Sequence, residues 1–454
     1  MTVLLYILGV VAFAFALAAS IGLHELGHLV PARRFGCKVT QYFIGFGPTV
    51  WSRQIGETEW GIKAFPLGGY VKIVGMLPPA AEDLVEGVEY DEDGNRIQRI
   101  RRSNTGMFAQ LISDARAAEW ELIDAADSER LFYKRPWWQK VIVMSGGPLV
   151  NIALAFLTFW LLFGVWGLRT YEAKPGQPVV HAVVKCVLPY DAKTRECSPD
   201  DPIAPAYEAG LRPGDMITGF NGTAVTGWDQ FRTLIRDNAD GRAVIDFERE
   251  GKALRGVTNT TVQARPTSET DETLTQVGFL GVEPEGRVVT TKGGPIFTAQ
   301  RMGEMTVDTA KALVTLPAKV WDVGLAVVGV KERAADSPVS VVGGGRLAGE
   351  IASHDELTSS NKVAAWLSIV GGFNLFIGML NFIPLLPLDG GHIAGALWEA
   401  IRRGFARLLG RPDPGYVDVA KLLPVAYVVA LALLAMGLVL IVGDIVVPIR
   451  WPPP

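Results

Sequence analysis

Histidine and cysteine are scarce in this chain of 454 residues, which contains five histidines and three cysteines. The cysteines, Cys37, Cys186 and Cys197, form no CxxC pattern, and this argues against a zinc site built from thiolates. Excess positive charge is missing too, since the net charge is −4 and the sequence pI is about 5.9. Because the sequence has no basic stripe, we expect no nucleic-acid partner.

Positive charge is also absent from the start of the chain. No lysine or arginine precedes the apolar run that begins at residue 3, although "ALAAS" at residues 16–20 resembles a cleavage site. A secretory signal peptide normally begins with positive charge. We therefore interpret this first run as a membrane span that is retained.

Apolar sequence, in contrast, is abundant: 49% of the residues are hydrophobic and the mean hydropathy is +0.24. A helix needs about 20 mostly apolar residues to cross a bilayer. Four runs are long enough, at residues 3–23, 141–168, 364–386 and 423–447. The sequence therefore predicts a polytopic α-helical membrane protein with four transmembrane helices.

Basic residues cluster at three flanks of these runs, and flanks of this kind face the cytoplasm. The clusters are Arg33, Arg34 and Lys38 after the first run, Lys134, Arg135 and Lys140 before the second, and Arg402, Arg403, Arg407 and Arg411 between the third and fourth. We therefore expect both termini and residues 169–361 on the extracytoplasmic side.

The segment after the first run has two parts of different character. Residues 40–75 alternate aromatic and β-branched residues with glycines, which predicts β-hairpins. They are apolar enough to lie partly in the membrane. Residues 80–130 are acidic and polar, with a predicted turn at "YDEDGN" (90–95), and are typical of a mobile or variable insertion.

The extracytoplasmic segment contains "APAYEAGLRPGDMITGFNGTAV" at residues 204–225. A helix start, a glycine turn, a strand and an Asn-Gly turn follow one another there, and an amphipathic helix and a strand come next. This order resembles one PDZ domain of the bacterial protease type.

The sequence of residues 301–350 predicts an amphipathic helix and a Gly-rich turn along the outer surface. Cys186 and Cys197 form a disulfide if their segment is extracytoplasmic, and two free thiols are the alternative.

The most informative motif is "SIGLHELGHLV" at residues 20–30, where ionisable residues interrupt the first apolar run. On a helix, His24 and His28 are four residues apart and share one face, which is the spacing that lets two imidazoles bind one Zn²⁺. Glu25 lies beside them as a candidate general base. The alternative is a helix whose His, Glu and His face other polar groups, but ionisable groups in a span are costly without a function.

A catalytic zinc ion needs a third protein ligand. The candidate is Asp389 in "NFIPLLPLDGGH" (381–392), at the inner end of the third run and so on the same side of the membrane as the histidines. Pro384 and Pro387 break the helix there. His392 is a competing ligand that we rank below Asp389, and an aspartate that ends a helix before Gly390 and Gly391 is the structural alternative.

"HELGH", "LDG" and an intervening PDZ domain are similar to the site-2 protease family of intramembrane zinc metalloproteases. The similarity extends to "GFGPTVWSRQIGETEWGIKAFPLGGYVKIVGM" and "SGGPLVN", and it covers most of the chain. The single PDZ copy resembles the bacterial one-PDZ branch, of the actinobacterial type. The resemblance implies that His24, His28 and Asp389 bind zinc and that Glu25 is the general base.

The resemblance also implies a substrate class and a mode of binding. The substrates are single-span membrane proteins such as anti-sigma factors, trimmed first by another protease, in the bacterial cell (inner) membrane. The PDZ domain acts as a size filter or a docking site. Asn381 contacts the substrate, and the membrane-associated hairpin lies at about residues 45–75. An unwound substrate can add as a strand to a sheet edge, for which residues 65–71 are our candidate; its proposed contacts are Phe65, Leu67, Gly68 and Gly69.

Two other functions explain less of the sequence. A membrane scaffold with a vestigial zinc site does not need the complete set His24, Glu25, His28 and Asp389, and a metal transporter leaves the PDZ domain unexplained.

The predicted domains are the first transmembrane helix with the zinc motif (1–30), a membrane-associated β-hairpin region (31–79), a cytoplasmic acidic insertion (80–135), the second transmembrane helix (136–168), the PDZ domain (169–290), an extracytoplasmic amphipathic region (291–362), the third transmembrane helix with the third ligand (363–392), a cytoplasmic loop (393–421) and the fourth transmembrane helix with the tail (422–454).

Overall fold

A computed structural model describes residues 2–78, 89–90, 96–97, 112, 114–116, 125–173, 178–188, 197–199, 201–266, 274–334 and 336–449. The chain divides into two compact units. We call Met1–Trp166 with Gly293–Pro454 the membrane unit and Gly167–Lys292 the inserted unit. Most of the predicted acidic insertion at 80–135, including residues 91–95 of its predicted turn, lies outside the described residues.

The helices and strands are numbered along the chain. The helices are α1 (Thr2–Arg34), α2 (Trp137–Val165), α3 (Pro205–Glu208), α4 (Trp228–Asp237), α5 (Pro295–Val327), α6 (Val341–Ser353), α7 (Ser359–Asn381), α8 (Asp389–Leu408) and α9 (Leu423–Val446). The strands are β1 (Val39–Ile55), β2 (Thr58–Ile73), β3 (Glu89–Tyr90), β4 (Arg96–Ile97), β5 (Leu168–Ala173), β6 (Val180–Val183), β7 (Met216–Phe220), β8 (Thr223–Ala224), β9 (Arg242–Arg249), β10 (Lys252–Asn259), β11 (Thr261–Pro266), β12 (Leu274–Phe279), β13 (Val282–Pro284) and β14 (Gly286–Thr291).

Within the described part of the membrane unit, four helical segments are long and apolar enough to cross a bilayer: Val3–Arg34, Trp137–Val165, Ser359–Asn381 and Val419–Val446. Each overlaps one of the four apolar runs of the sequence. This confirms a polytopic membrane protein with mixed helix and sheet. α1 also continues beyond the predicted end of the first run, so His24, Glu25 and His28 all lie within the helix.

Three details of the predicted membrane region are wrong. The third span ends at Asn381, and Asp389 begins the next helix, α8, because the residues between them include two prolines. The predicted cytoplasmic loop at 393–421 is largely helical, since α8 is amphipathic. The predicted Gly-rich turn is helix α6, whose small residues pack closely on α1: a Cβ on Gly349 would lie 2.8 Å from the ring of Tyr6.

The predicted hairpin is present as β1 and β2, which pair in an antiparallel sheet around Gly56. β2 bends back on itself, so the first part of β1 lies between two stretches of β2. Tyr42 of β1, for example, pairs with both Trp60 and Val71 of β2. Residues 69–73 consequently form an outer strand of this sheet. Among the described residues no further strand pairs with it.

The inserted unit contains a four-stranded sheet in the order β10-β9-β7-β8. The turn between β7 and β8 is the predicted Asn-Gly turn, since Asn221 (φ 50°) and Gly222 (φ 82°) both adopt the left-handed conformation. The amphipathic helix α4 buries Phe231 in the core. The structure also joins Cys186 and Cys197 in a disulfide, with their Cα atoms 5.8 Å apart.

Candidate metal centre

The two histidines of α1 point their Nε2 atoms at one place. His24 Nε2 and His28 Nε2 are 3.2 Å apart. This convergence follows from their spacing, because residues i and i+4 lie one above the other on a helix. His28 is buried, with only 5% of its surface exposed, so its ring has a fixed environment.

Helix α2 orients both rings from behind. His28 Nδ1 lies 2.8 Å from the backbone oxygen of Val143, and His24 Nδ1 lies 3.2 Å from Asn151 Oδ1. Because each Nδ1 faces an oxygen acceptor, each neutral ring carries its proton there and presents an unprotonated Nε2. The sequence analysis did not single out Asn151. A polar residue inside a predicted span is itself a signal of function, so its contact with His24 could have been anticipated.

Glycines allow α2 to come this close to α1. Backbone atoms of Gly146 lie so near Gly27 that a Cβ on either residue would overlap the other helix. A Cβ on Gly147 would overlap His28 Nε2 and would lie 2.7 Å from His24 Nε2. The segment "SGGPLVN" therefore leaves room for the two rings, a role that its sequence does not reveal.

Asp389 completes the cluster from a distant part of the chain. Its Oδ2 lies 3.3 Å from His24 Nε2 and 3.4 Å from His28 Nε2. As the first residue of α8, it is held close to the preceding turn, where a Cβ on Gly391 would lie 2.6 Å from the backbone nitrogen of Leu386. Among the described residues, His24, His28 and Asp389 form a group whose ligand atoms all lie within 4.8 Å of one another.

This donor set fits Zn²⁺. Tetrahedral zinc binds nitrogen and oxygen at about 2.0–2.2 Å, which puts neighbouring ligand atoms about 3.3–3.5 Å apart. The three observed separations are 3.2, 3.3 and 3.4 Å. Two unprotonated nitrogens and a carboxylate oxygen at such distances present lone pairs to one another, and a cation between them relieves that repulsion.

The competing ligand, His392, is not a member of this group. It lies one helical turn beyond Asp389 and lines a small cavity together with Lys140 and Glu399. Burial lowers the pKa of His392, so its ring is neutral at physiological pH. The structure thus brings together the ligand set that we ranked first.

Glu25 lies next to the cluster and next to the outer strand of the sheet. Its carboxylate is close enough to interact electrostatically with all three residues of the cluster and with the Val71 backbone. A Cβ on Gly69 would lie 3.0 Å from Glu25 Cγ. Tyr42 fixes the sheet there by donating to the carbonyl of Gly22 (2.7 Å), and burial raises the pKa of Tyr42 to about 12.

The predicted substrate-binding residues lie on two elements. Asn381 is the half-buried last residue of α7, and its side chain makes no hydrogen bond to the described residues. Phe65 pairs with Phe46 in the sheet and is 59% exposed. Gly68 has a φ of +127°, a conformation that favours glycine, and Gly69 pairs with Ile44. Leu67 belongs to β2, but its side chain is outside the described part of the structure.

Two histidines in a membrane-spanning helix, with an aspartate close to them and a glutamate beside them, are the residue set of a membrane-embedded metallopeptidase. The chain matches the model of peptidase family M50 over residues 12–409. It is 33% identical to the zinc metalloprotease Rip1 of Mycobacterium tuberculosis, over 98% of this chain and 99% of that protein. It is 25% identical to the regulator of sigma-W protease RasP of Bacillus subtilis, over 87% of this chain and 90% of the relative.

The chain therefore belongs to peptidase family M50, which confirms the resemblance to site-2 proteases. It is an enzyme, an intramembrane zinc metalloendopeptidase, and zinc is its cofactor.

Proposed function

We propose that His24, His28 and Asp389 bind the catalytic zinc and that Glu25 is the general base. The observation that carries this proposal is the set of ligand separations, 3.2, 3.3 and 3.4 Å, which matches tetrahedral zinc. Asn151 and the carbonyl of Val143 hold the two rings in the tautomer that leaves each Nε2 available.

Zinc bound there supplies Lewis acidity, which lowers the pKa of water from about 16 to about 7. Glu25 accepts the proton of the attacking water and then delivers it to the leaving amine. The position of Glu25 supports this role, because its side chain lies beside both the cluster and the outer strand of the sheet. Water, peptide and base meet where α1 and the outer strand of the sheet lie side by side.

The proposed substrates are single-span membrane proteins such as anti-sigma factors, cleaved after another protease has trimmed them. The name of the Bacillus relative, a regulator of sigma-W protease, supports this class. A helical substrate must unwind before cleavage because its carbonyls are hydrogen-bonded internally. The outer strand at residues 69–73 has an edge with which no described strand pairs, so an unwound segment could add there, and Phe65, Leu67, Gly68 and Gly69 precede or begin that strand. Asn381 would then replace a backbone hydrogen bond that the substrate loses on unwinding.

We further propose that the active site faces the cytoplasm, while both termini and residues 169–290 are extracytoplasmic. The basic flanks of the spans support this orientation. We assign residues 169–290 to one PDZ domain that excludes bulky substrates or docks them. The compact unit Gly167–Lys292 and its disulfide are in keeping with that assignment.

The test is co-expression of the protein with candidate single-span regulators, comparing wild type with Glu25→Gln. We expect the full-length regulator to accumulate with Glu25→Gln, whose cleavage falls by roughly 10²–10⁴-fold, while purified protein keeps its zinc. Glu304→Gln, which changes an exposed carboxylate on α5, is the matched control and should cleave normally. Wild-type cleavage by Glu25→Gln, or loss of zinc in that variant, contradicts the proposed role of Glu25. Metal flux into liposomes without peptide cleavage would favour a transporter.

A further inference from the structure

A second cluster of charges lies between α2 and α8, away from the proposed metal ligands. Lys140 Nζ is 2.7 Å from Glu399 Oε2, and both side chains are buried, with 8% and 1% of their surfaces exposed. Two opposite charges out of contact with solvent require close pairing, because an unpaired buried charge is strongly unfavourable. This pair therefore ties the beginning of α2 to the middle of α8.

Two further contacts hold the Glu399 carboxylate, and one aromatic ring packs against both of its cationic partners. Its Oε1 is 3.3 Å from Arg403 Nη1, and the backbone N–H of Val417 lies 3.4 Å from its Oε2. The ring of Tyr416 lies beneath both cations, 5.0 Å from Lys140 Nζ and 5.1 Å from Arg403 Cζ. Oε2 thus accepts hydrogen bonds from Lys140 and from the backbone of Val417, whereas Oε1 is held by the ion pair with Arg403 and accepts no hydrogen bond from the described residues.

The two helices that this pair joins carry the contacts of the metal centre. α2 supplies the Val143 carbonyl and Asn151, which orient the histidines. α8 begins with Asp389. Val143 is three residues from Lys140 and therefore lies on nearly the same face of α2. Glu399 follows Asp389 by ten residues, or about 15 Å of helix.

We propose that Glu399, through its ion pair with Lys140, is a positioning residue for the zinc site: it fixes α8 on α2 and so holds Asp389 against His24 and His28. The segment at 382–388 that leads into Asp389 is not helical, so it constrains α8 less than a continuous helix would. A shift of α8 along α2 would move Asp389 Oδ2 away from its separations of 3.3 and 3.4 Å. This inference rests on the proposed metal ligands.

The test measures metal binding in the purified full-length protein in detergent, by competition with a chelator for zinc and by the absorption spectrum of bound Co²⁺. We expect Glu399→Gln to weaken zinc binding roughly tenfold or more and to alter the Co²⁺ bands. Lys140→Met should do the same, whereas Lys140→Arg, which keeps the charge and the donor, should bind nearly as wild type does.

Asp444→Asn is the matched control for a loss of buried charge. Asp444 is 3% exposed and pairs with Arg333 at 2.7 Å, but it lies on α9, which carries none of the proposed ligands. We expect Asp444→Asn to lower stability and to leave the zinc affinity of the folded protein unchanged. If Glu399→Gln does not fold, the comparison of Lys140→Met with Lys140→Arg shows whether the ion pair holds Asp389 in place.

The outcomes separate this inference from the proposed function. Unchanged zinc in Asp389→Ala overturns the proposed ligand set and, with it, the positioning role. Loss of zinc in Asp389→Ala together with full affinity in Glu399→Gln overturns the positioning role alone. Equal weakening by Asp444→Asn and Glu399→Gln overturns it as well, because the effect would then be one of general stability.

Discussion

In the inserted unit the core is apolar and includes Phe220, Phe231, Ile245 and Leu280. In the membrane unit many of the buried side chains are polar or charged, among them His28, Asn151, Glu399 and Asp444, while large apolar side chains such as Phe15 are exposed. Water drives apolar groups inward, but lipid does not, so the membrane unit can leave apolar side chains outside.

The difference shows where chemistry is placed in each unit. A polar group surrounded by lipid costs several kcal/mol unless it has partners, so polar groups in spans gather inside the bundle and meet one another. The cluster of His24, His28 and Asp389 and the Lys140–Glu399 pair are two such groups of polar side chains. In the described part of the inserted unit, the buried carboxylate of Asp215 forms an ion pair with Arg249 and accepts a hydrogen bond from the backbone N–H of Arg212.

The largest effect is expected for Asp389→Ala, which removes one of the three proposed ligands. We expect purified protein to contain little zinc by elemental analysis and to cleave no substrate, because two histidines alone bind zinc weakly. Asp308→Ala, at an exposed aspartate on α5, is the control and should retain zinc. A full complement of zinc in Asp389→Ala would show that the buried polar cluster of the membrane unit is not the metal site.

Gly147→Ala tests the close packing that the membrane unit needs around its polar cluster. The new Cβ would overlap His28 Nε2, so we expect a zinc affinity lower by roughly 10–100-fold in a chelator competition. Gly164→Ala is the matched control on the same helix, since the nearest atom to its Cβ would be the Gly293 oxygen at 3.9 Å. Equal affinities for the two variants would contradict the packing argument.

Phe231→Ala tests the apolar core of the inserted unit. Phe231 is fully buried, so we expect its truncation to destabilise this unit by about 3–5 kcal/mol. Amide hydrogen exchange on the full-length protein should show faster exchange in residues 216–247. Zinc content should not change, because the unit contributes no proposed ligand, and a loss of zinc would break the distinction between the two units.

Cys197→Ser should have the smallest effect of the four. The disulfide closes a loop of only 11 residues, for which a stabilisation of about 2–3 kcal/mol is expected. The variant should therefore lower the melting temperature of the inserted unit modestly and leave cleavage intact. In wild type, alkylation without reductant should modify neither Cys186 nor Cys197, and modification of both would show that the bond does not form.

Much of the architecture follows from local sequence. The four apolar runs predict the spans because length and hydropathy are local properties, and the Asn-Gly pair at 221–222 predicts its turn because both residues accept positive φ. The helical glycines of α6 were wrongly expected to form a turn. Glycine disfavours helix in isolation, but here its lack of a side chain lets α6 pack on α1.

The sequence by itself determined which chemical groups are available: "HELGH" and "LDG" supply two imidazoles and two carboxylates, because residue type and helical spacing fix what these groups can bind. Only the tertiary structure decided how they meet. Asp389 begins its own helix rather than ending a span, Asn151 and Val143 of α2 set the rings, and Lys140 pairs with Glu399. These contacts join residues more than one hundred positions apart, and helix packing, which no local pattern encodes, brings them together.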